Sequence, residues 1–176
     1  MADTLRALSI RQPWAWALLH ANKKVENRDW PRCDYRGPLL LHASKGCTRD
    51  EYACACESIQ AMRADAGLEP IDVPELIEQP RGAVVGIARI VRVDRHPDVG
   101  VKPHMGHDGV VRELDWARGY RGFRIAGALG IQLDDIRELP PIPWRGALGF
   151  FGIPVAELPD EHVQAWRELA AKGGAR

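Results

Sequence analysis

Apolar residues along this chain fall into short clusters separated by polar turns, and their spacing changes from one stretch to the next. Residues 7–10 read as a short strand. Pro13 can open a helix over 13–20, because the N–H it lacks would have no partner in a first turn. Residues 25–28 read as a second strand; side chains alternate faces in a strand, so Glu26 and Arg28 point the same way. After the turn at Arg36-Gly37, residues 38–44 form a third, with Leu39 and Leu41 on one side and His42 and Ser44 on the other. Thr48 and Glu51 have the spacing of a capping box, which predicts a helix from there to about Ala66, just before Gly67. Residues 67–81, acidic and with three prolines, read as a surface excursion.

Residues 82–94 (GAVVGIARIVRVD) give the clearest strand signal. Residues 95–112, rich in Gly, His and Pro, read as a mobile loop. A helical turn is expected near 116–120 and a strand over 128–133. Residues 140–143 read as a stiff proline connector into a strand over 148–153. From Pro159-Asp160 a last helix should present Val163, Trp166, Leu169 and Ala170 as one apolar face. Several short strands of irregular length with helices between them suggest an α+β chain built on a small β-barrel flanked by helices. Periodicity alone leaves an open α+β sheet as the alternative. The length of 176 residues fits one domain, with a core over about 5–155 and the C-terminal helix over about 159–172.

Polar residues are unusually dense between these pieces of core. Ser9, Gln12, Trp14, Lys23, Glu26, Arg28, His42, Ser44 and Lys45 all fall within 8–46, which suggests a site rather than a surface. A second such cluster, PIPWRGALGFFGIP over 141–154, contains Trp144 and Arg145.

Charge supports this division. The chain as a whole is neutral, with 24 basic and 24 acidic residues. Residues 1–50 carry nine basic and five acidic side chains, a balance of +4, whereas 51–80 carry one and seven, a balance of −6. Residues 81–130 return to +4 with nine and five, and 131–176 give −2 with five and seven. This is not a uniformly basic nucleic-acid binder, but a shaped, locally positive cleft is compatible with it. No apolar run reaches the roughly 18 residues of a membrane span, and no signal peptide is visible, so a cytoplasmic location is expected. The four cysteines at 33, 47, 54 and 56 lack C-x-x-C spacing and read as free thiols. His104, His107 and Asp108, with His96 upstream, share one loop but lack a fourth ligand of suggestive spacing. No metal or cofactor is therefore expected.

Three segments, SIRQPWA at 9–15, KKVENR at 23–28 and RGPLLLHASK at 36–45, resemble the ASCH domain (activating signal cointegrator-1 homology) of the PUA-like superfamily. The late PIPWRGALGFFGIP is similar to that family's closing Arg-Gly-x-x-Gly-aromatic strand, so the resemblance spans about 5–155. It implies a PUA-like barrel with a helix-flanked cleft, and recognition of RNA or another single-stranded nucleic acid. Ribonuclease activity has been associated with bacterial members. One enzymatic branch hydrolyses N4-acetylcytidine with a Lys-x-x-Thr pair and a distant Glu. Here Lys23 matches the lysine, Glu26 stands at the threonine position, and Ala88 falls near the position of the distant Glu.

The candidate roles follow from chemistry. Two cations beside a carboxylate, as in Lys23, Glu26 and Arg28, suit a phosphate or a base edge, although a solvated ion pair at a strand edge would look the same. Ser44 and Lys45, between a strand and a helix N-terminus, suit an anion. Trp14 suits base stacking or core packing; Trp144 beside Arg145 is equally open. Trp16 and Trp166 are assigned to the core. Lys23, Glu26 and His42 are the candidates for catalysis if the chain is an enzyme, His42 as a general base. The leading expectation is RNA binding through Ser9, Gln12, Trp14, Lys23, Glu26, Arg28, Ser44, Lys45, Trp144 and Arg145. The alternatives are a hydrolase acting on RNA or a modified nucleoside in the same cleft, and a protein-interaction module with a vestigial pocket.

Overall fold

The computed structural model describes residues 3–95, 104–105, 111–112 and 129–173. Strand β1 (Thr4–Ile10) leads through a cis Gln12–Pro13 peptide into helix α1 (Trp14–His20). The helix buries Ala15, Ala17 and Leu18. Asn22, at φ 61°, turns the chain into β2 (Val25–Arg28); asparagine tolerates this left-handed conformation better than most residues. β3 (Gly37–Ala43) follows, then α2 (Arg49–Asp65). The expected capping box is present: the Glu51 N–H donates to Thr48 Oγ1 and the Thr48 N–H to Glu51 Oε2. Residues 67–81 hold no helix or strand.

β4 (Ala83–Arg95) and β7 (Leu129–Pro143) are long antiparallel partners. Between them, β5 (His104–Met105) and β6 (Val111–Arg112) pair antiparallel, so the stretch expected as a loop contains a short ladder. The helical turn expected at 116–120, along with His96, His107 and Asp108, lies outside the described residues. β8 (Phe150–Pro154), a 3-10 turn (Val155–Glu157) and α3 (Asp160–Gly173) complete the chain.

Six strands form one mixed sheet in the order β2-β7-β4-β3-β1-β8. β1 and β3 run parallel, in register Leu8 with Leu41 and Ser9 with His42; β8 runs antiparallel to β1. The expected closed barrel is not formed. Among the described residues, β2 pairs only with β7 and β8 only with β1. Phe150 of β8 packs edge-on against Trp30 and Tyr35, with ring centroids 5.1 and 5.7 Å away.

Alternation along the strands gives the sheet two buried faces. Leu8, Ile10, Leu39, Leu41, Val85, Ile90 and Ile131 pack with Ala15 and Leu18 of α1. Leu5, Ala7, Leu40, Val84, Ile87 and Ile153 pack with Val163, Ala165 and Leu169 of α3. Each fully buried Leu or Ile contributes about 1.5–3 kcal/mol relative to exposure. On α3 the buried side runs through His162, Val163, Ala165 and Leu169, with Trp166 partly covered; Ala170, expected on that face, is exposed. His162 is fully buried, its Nε2 donating to the Pro140 carbonyl at 3.1 Å. Trp16 is partly buried against Ala17, Ala21 and Ile59. No described helix is long and apolar enough to cross a membrane. None of Cys33, Cys47, Cys54 and Cys56 is joined in a disulfide.

Candidate functional site

Where the ends of β1, β2 and β3 meet the segment between β7 and β8, a cleft of about 1200 Å³ opens. Of the residues singled out in the sequence, Ser9, Trp14, Glu26, Arg28, His42, Ser44, Lys45, Trp144 and Arg145 line it. Gln12 and Lys23 do not. Gln12 is buried as a structural link, its Nε2 donating to the Pro80 carbonyl and its Oε1 accepting from the Trp16 N–H, each at 3.0 Å.

Lys23 sits behind the cleft wall, 2% exposed. Its ammonium donates to Glu26 Oε2 at 3.0 Å and to the Val25 carbonyl, and lies 5.7 Å from the centroid of the Trp14 ring. Burial pulls its pKa below the ordinary lysine value, and nearby Arg28 lowers it further; the Glu26 carboxylate opposes both. Glu26 Oε1 lies 3.0 Å from Arg28 Nη2, so one buried carboxylate holds two cations. Arg28 also donates to the Ser9 carbonyl, tying β2 to the end of β1 with a side chain where no ladder exists. A buried pair like Lys23–Glu26 sets geometry more than it adds stability, because desolvation offsets most of the attraction.

His42 uses both ring nitrogens. Nε2 lies 3.0 Å from the Trp144 carbonyl, which can only accept, so Nε2 carries the proton. Nδ1 then accepts from the Ser9 hydroxyl at 3.1 Å. Burial lowers the His42 pKa, although the bond to Trp144 raises it in part. Gly146 lies over this pair: a Cβ there would fall 2.4 Å from His42 Cε1 and 2.5 Å from Ser9 Oγ, so no side chain fits.

The rim is cationic. Lys45 and Arg145 are exposed, and among the described residues neither meets a carboxylate. The stem of Lys45 rests on Gly82, where a Cβ would fall 2.5 Å from Lys45 Cε; at φ +64° that position also favours glycine. Arg11 lines the cleft too but is paired with Glu51. The α2 N-terminus expected beside Lys45 as an anion site is therefore already occupied by Glu51, whose carboxyl is held below its usual pKa chiefly by the Thr48 N–H. The lining as a whole carries four cations, Arg11, Arg28, Lys45 and Arg145, against the single carboxylate of Glu26.

Sequence reasoning missed Arg11, Gly146 and the exposed Leu148 as lining residues. Arg11 directly follows the strand that carries Ser9, which was a usable signal; the contribution of Gly146 exists only in three dimensions. No group of three or more metal-ligating side chains occurs among the described residues.

The family model for the ASCH domain matches residues 8–105, which includes every cleft residue from Ser9 to Gly82. The chain belongs to the ASCH domain family. The match stops short of 143–148, so the part of the cleft built by Trp144, Arg145 and Gly146 lies beyond it. No curated protein sequence matches the chain. Among solved structures it is similar to the crystal structure of ASCH from Zymomonas mobilis, at 14% identity and a TM-score of 0.47, over 93% of this chain and 94% of that one. The open six-stranded sheet with its three helices is this ASCH protein's version of the PUA-like fold.

Proposed function

We propose that this ASCH protein binds single-stranded RNA in the cleft between β1, β2, β3 and the 143–148 segment. The observation that carries this reading is the pair of exposed rim cations, Lys45 and Arg145, beside Trp14 and Trp144 in a cleft whose lining is net positive. Cations that meet no carboxylate among the described residues are free to replace the counterions of a phosphate backbone. Indole rings beside them offer flat faces to bases, each stack worth about 1–3 kcal/mol. Membership of the ASCH family is consistent with a nucleic-acid ligand.

The test is a titration of single-stranded RNA at several salt concentrations. Lys45→Ala should weaken binding and flatten the slope of log K against log salt by about 0.7, the contribution of one single-strand phosphate. Unchanged affinity and slope in a folded variant would remove Lys45 from the interface.

One observation favours a second reading, a hydrolase acting on RNA or a modified nucleoside in the same cleft. The Ser9 hydroxyl donates to a His42 ring that Trp144 orients, which is the relation of a nucleophile to its base. Gly146 covers that pair, so a reacting atom would reach Ser9 only after the 143–148 segment shifts. Turnover abolished by Ser9→Ala, with RNA affinity preserved, would establish this reading over simple binding.

A further inference from the structure

The cleft has a polarity that says which end of a nucleotide goes in first. Its inner wall carries Glu26, 7% exposed, and Arg28; its rim carries Lys45 and Arg145, both exposed. At the inner wall Lys23 and Arg28 are already engaged by the Glu26 carboxylate, which a phosphate would have to displace. A phosphate at the rim meets two cations that have no carboxylate partner among the described residues. The base therefore points inward and the backbone stays outside.

Glu26 and Arg28, two residues apart on β2, present a specific pattern to that base. Each oxygen of Glu26 holds one cation, Arg28 Nη2 or Lys23 Nζ, both at 3.0 Å. A carboxylate has about four lone-pair sites, so both oxygens can still accept. Arg28 uses Nη2 for Ser9 and Glu26, while its Nη1 has no hydrogen-bond partner among the described residues and remains a donor. The wall thus offers two adjacent acceptors followed by a donor. The Watson–Crick edge of guanine is the complement: N1–H and N2–H side by side, then the O6 acceptor. Adenine and cytosine each offer one amino group beside an acceptor that would face carboxylate oxygen. Uracil offers one N–H between two carbonyls. From this match we propose that the cleft reads an unpaired guanine in RNA, with Glu26 accepting from N1–H and N2–H and Arg28 donating to O6. The inference rests on the RNA-binding reading above and adds base identity to it.

Inosine isolates the proposed contact, because it is guanosine without the N2 amino group. Short oligouridylates with one central G, I, A, C or U are titrated against the unmodified protein at fixed salt. The G oligonucleotide should bind tighter than the I oligonucleotide by about tenfold, the order of one hydrogen bond to a charged group. A, C and U should bind more weakly than G. Equal affinity for all five overturns the guanine assignment and leaves phosphate-driven RNA binding standing, as does a preference for A or C. Failure of every oligonucleotide to bind, even at low salt, removes the RNA reading together with this inference. Glu26→Gln keeps the shape but offers a single acceptor, and should bring G and I to within about twofold of each other. If that variant does not fold, because Lys23 loses its buried counter-charge, the base series on the native protein decides alone.

Discussion

His42 commits both ring nitrogens to protein partners, so it contributes more to the shape of the cleft than its sequence position suggests. The Trp144 carbonyl and the Ser9 hydroxyl hold it as a neutral ring between β1 and the 143–148 segment. Burial lowers its pKa below the reference of about 6.5, so in acid the unfolded chain takes up a proton that the folded ring refuses. Stability should therefore fall as pH drops from about 6.5 toward the folded value, and level off below it. Denaturant midpoints measured between pH 7.5 and 5 check this; an equally steep acid loss in His42→Gln would place its origin elsewhere. Trp14 has two duties, packing against both α1-side clusters and lining the cleft. Trp14→Leu should lower the melting temperature and also weaken RNA binding by about 1–3 kcal/mol, with an unchanged salt slope. Intact affinity in the folded fraction would make the ring purely structural. Several of these side chains were legible in the sequence because the strand period puts Glu26 and Arg28 on one face. Gln12 and Lys23 were not. Nothing in their spacing shows that the Pro80 carbonyl captures one and the cleft wall covers the other.

At the level of elements, α2 shows how a helix start can be claimed by its own chain. Thr48 and Glu51 were readable as a capping box, and that reading holds. The same Glu51 also neutralises Arg11, which the sequence did not show. Glu51→Gln retains the capping geometry, since glutamine serves in the box as well, and releases Arg11 toward the cleft. RNA should then bind more tightly, with a salt slope steeper by about 0.7. No change would mean that Arg11 does not reach the bound strand. β7 supplied the larger surprise. Its prolines at 140, 141 and 143 read as a connector, because proline cannot donate to a ladder. The structure places them in a strand, with Ala83 opposite Pro143 and Val84 opposite Ile142. Pro140 and Pro141 fall where the β4–β7 register shifts between Val84 and Gly86, so the ladder is already interrupted at the residues that cannot donate to it.

On the scale of the molecule, the short strands and the resemblance both pointed to a closed barrel, and the sheet stays open. Closure would need a ladder between β2 and β8; none forms among the described residues, and Phe150 of β8 instead meets Trp30 and Tyr35 through its ring. Strand periodicity carries no record of such a long-range aromatic contact. The fold also bears on chemistry. Ala88 is fully buried in β4 and Lys23 is locked to Glu26, so no hydroxyl–carboxylate pair attends that lysine. Hydrolysis of N4-acetylcytidine should be negligible when acetate release is assayed by chromatography; robust turnover that vanishes in Lys23→Ala would overturn this. The pairing of β8 with β1 has a temporal consequence. A ribosome delivers β1 long before β8, so in between the outer edge of β1 waits for a partner. The segment that caps Ser9 and His42 emerges just before that partner. A nascent chain therefore displays an incomplete cleft until β8 docks on β1.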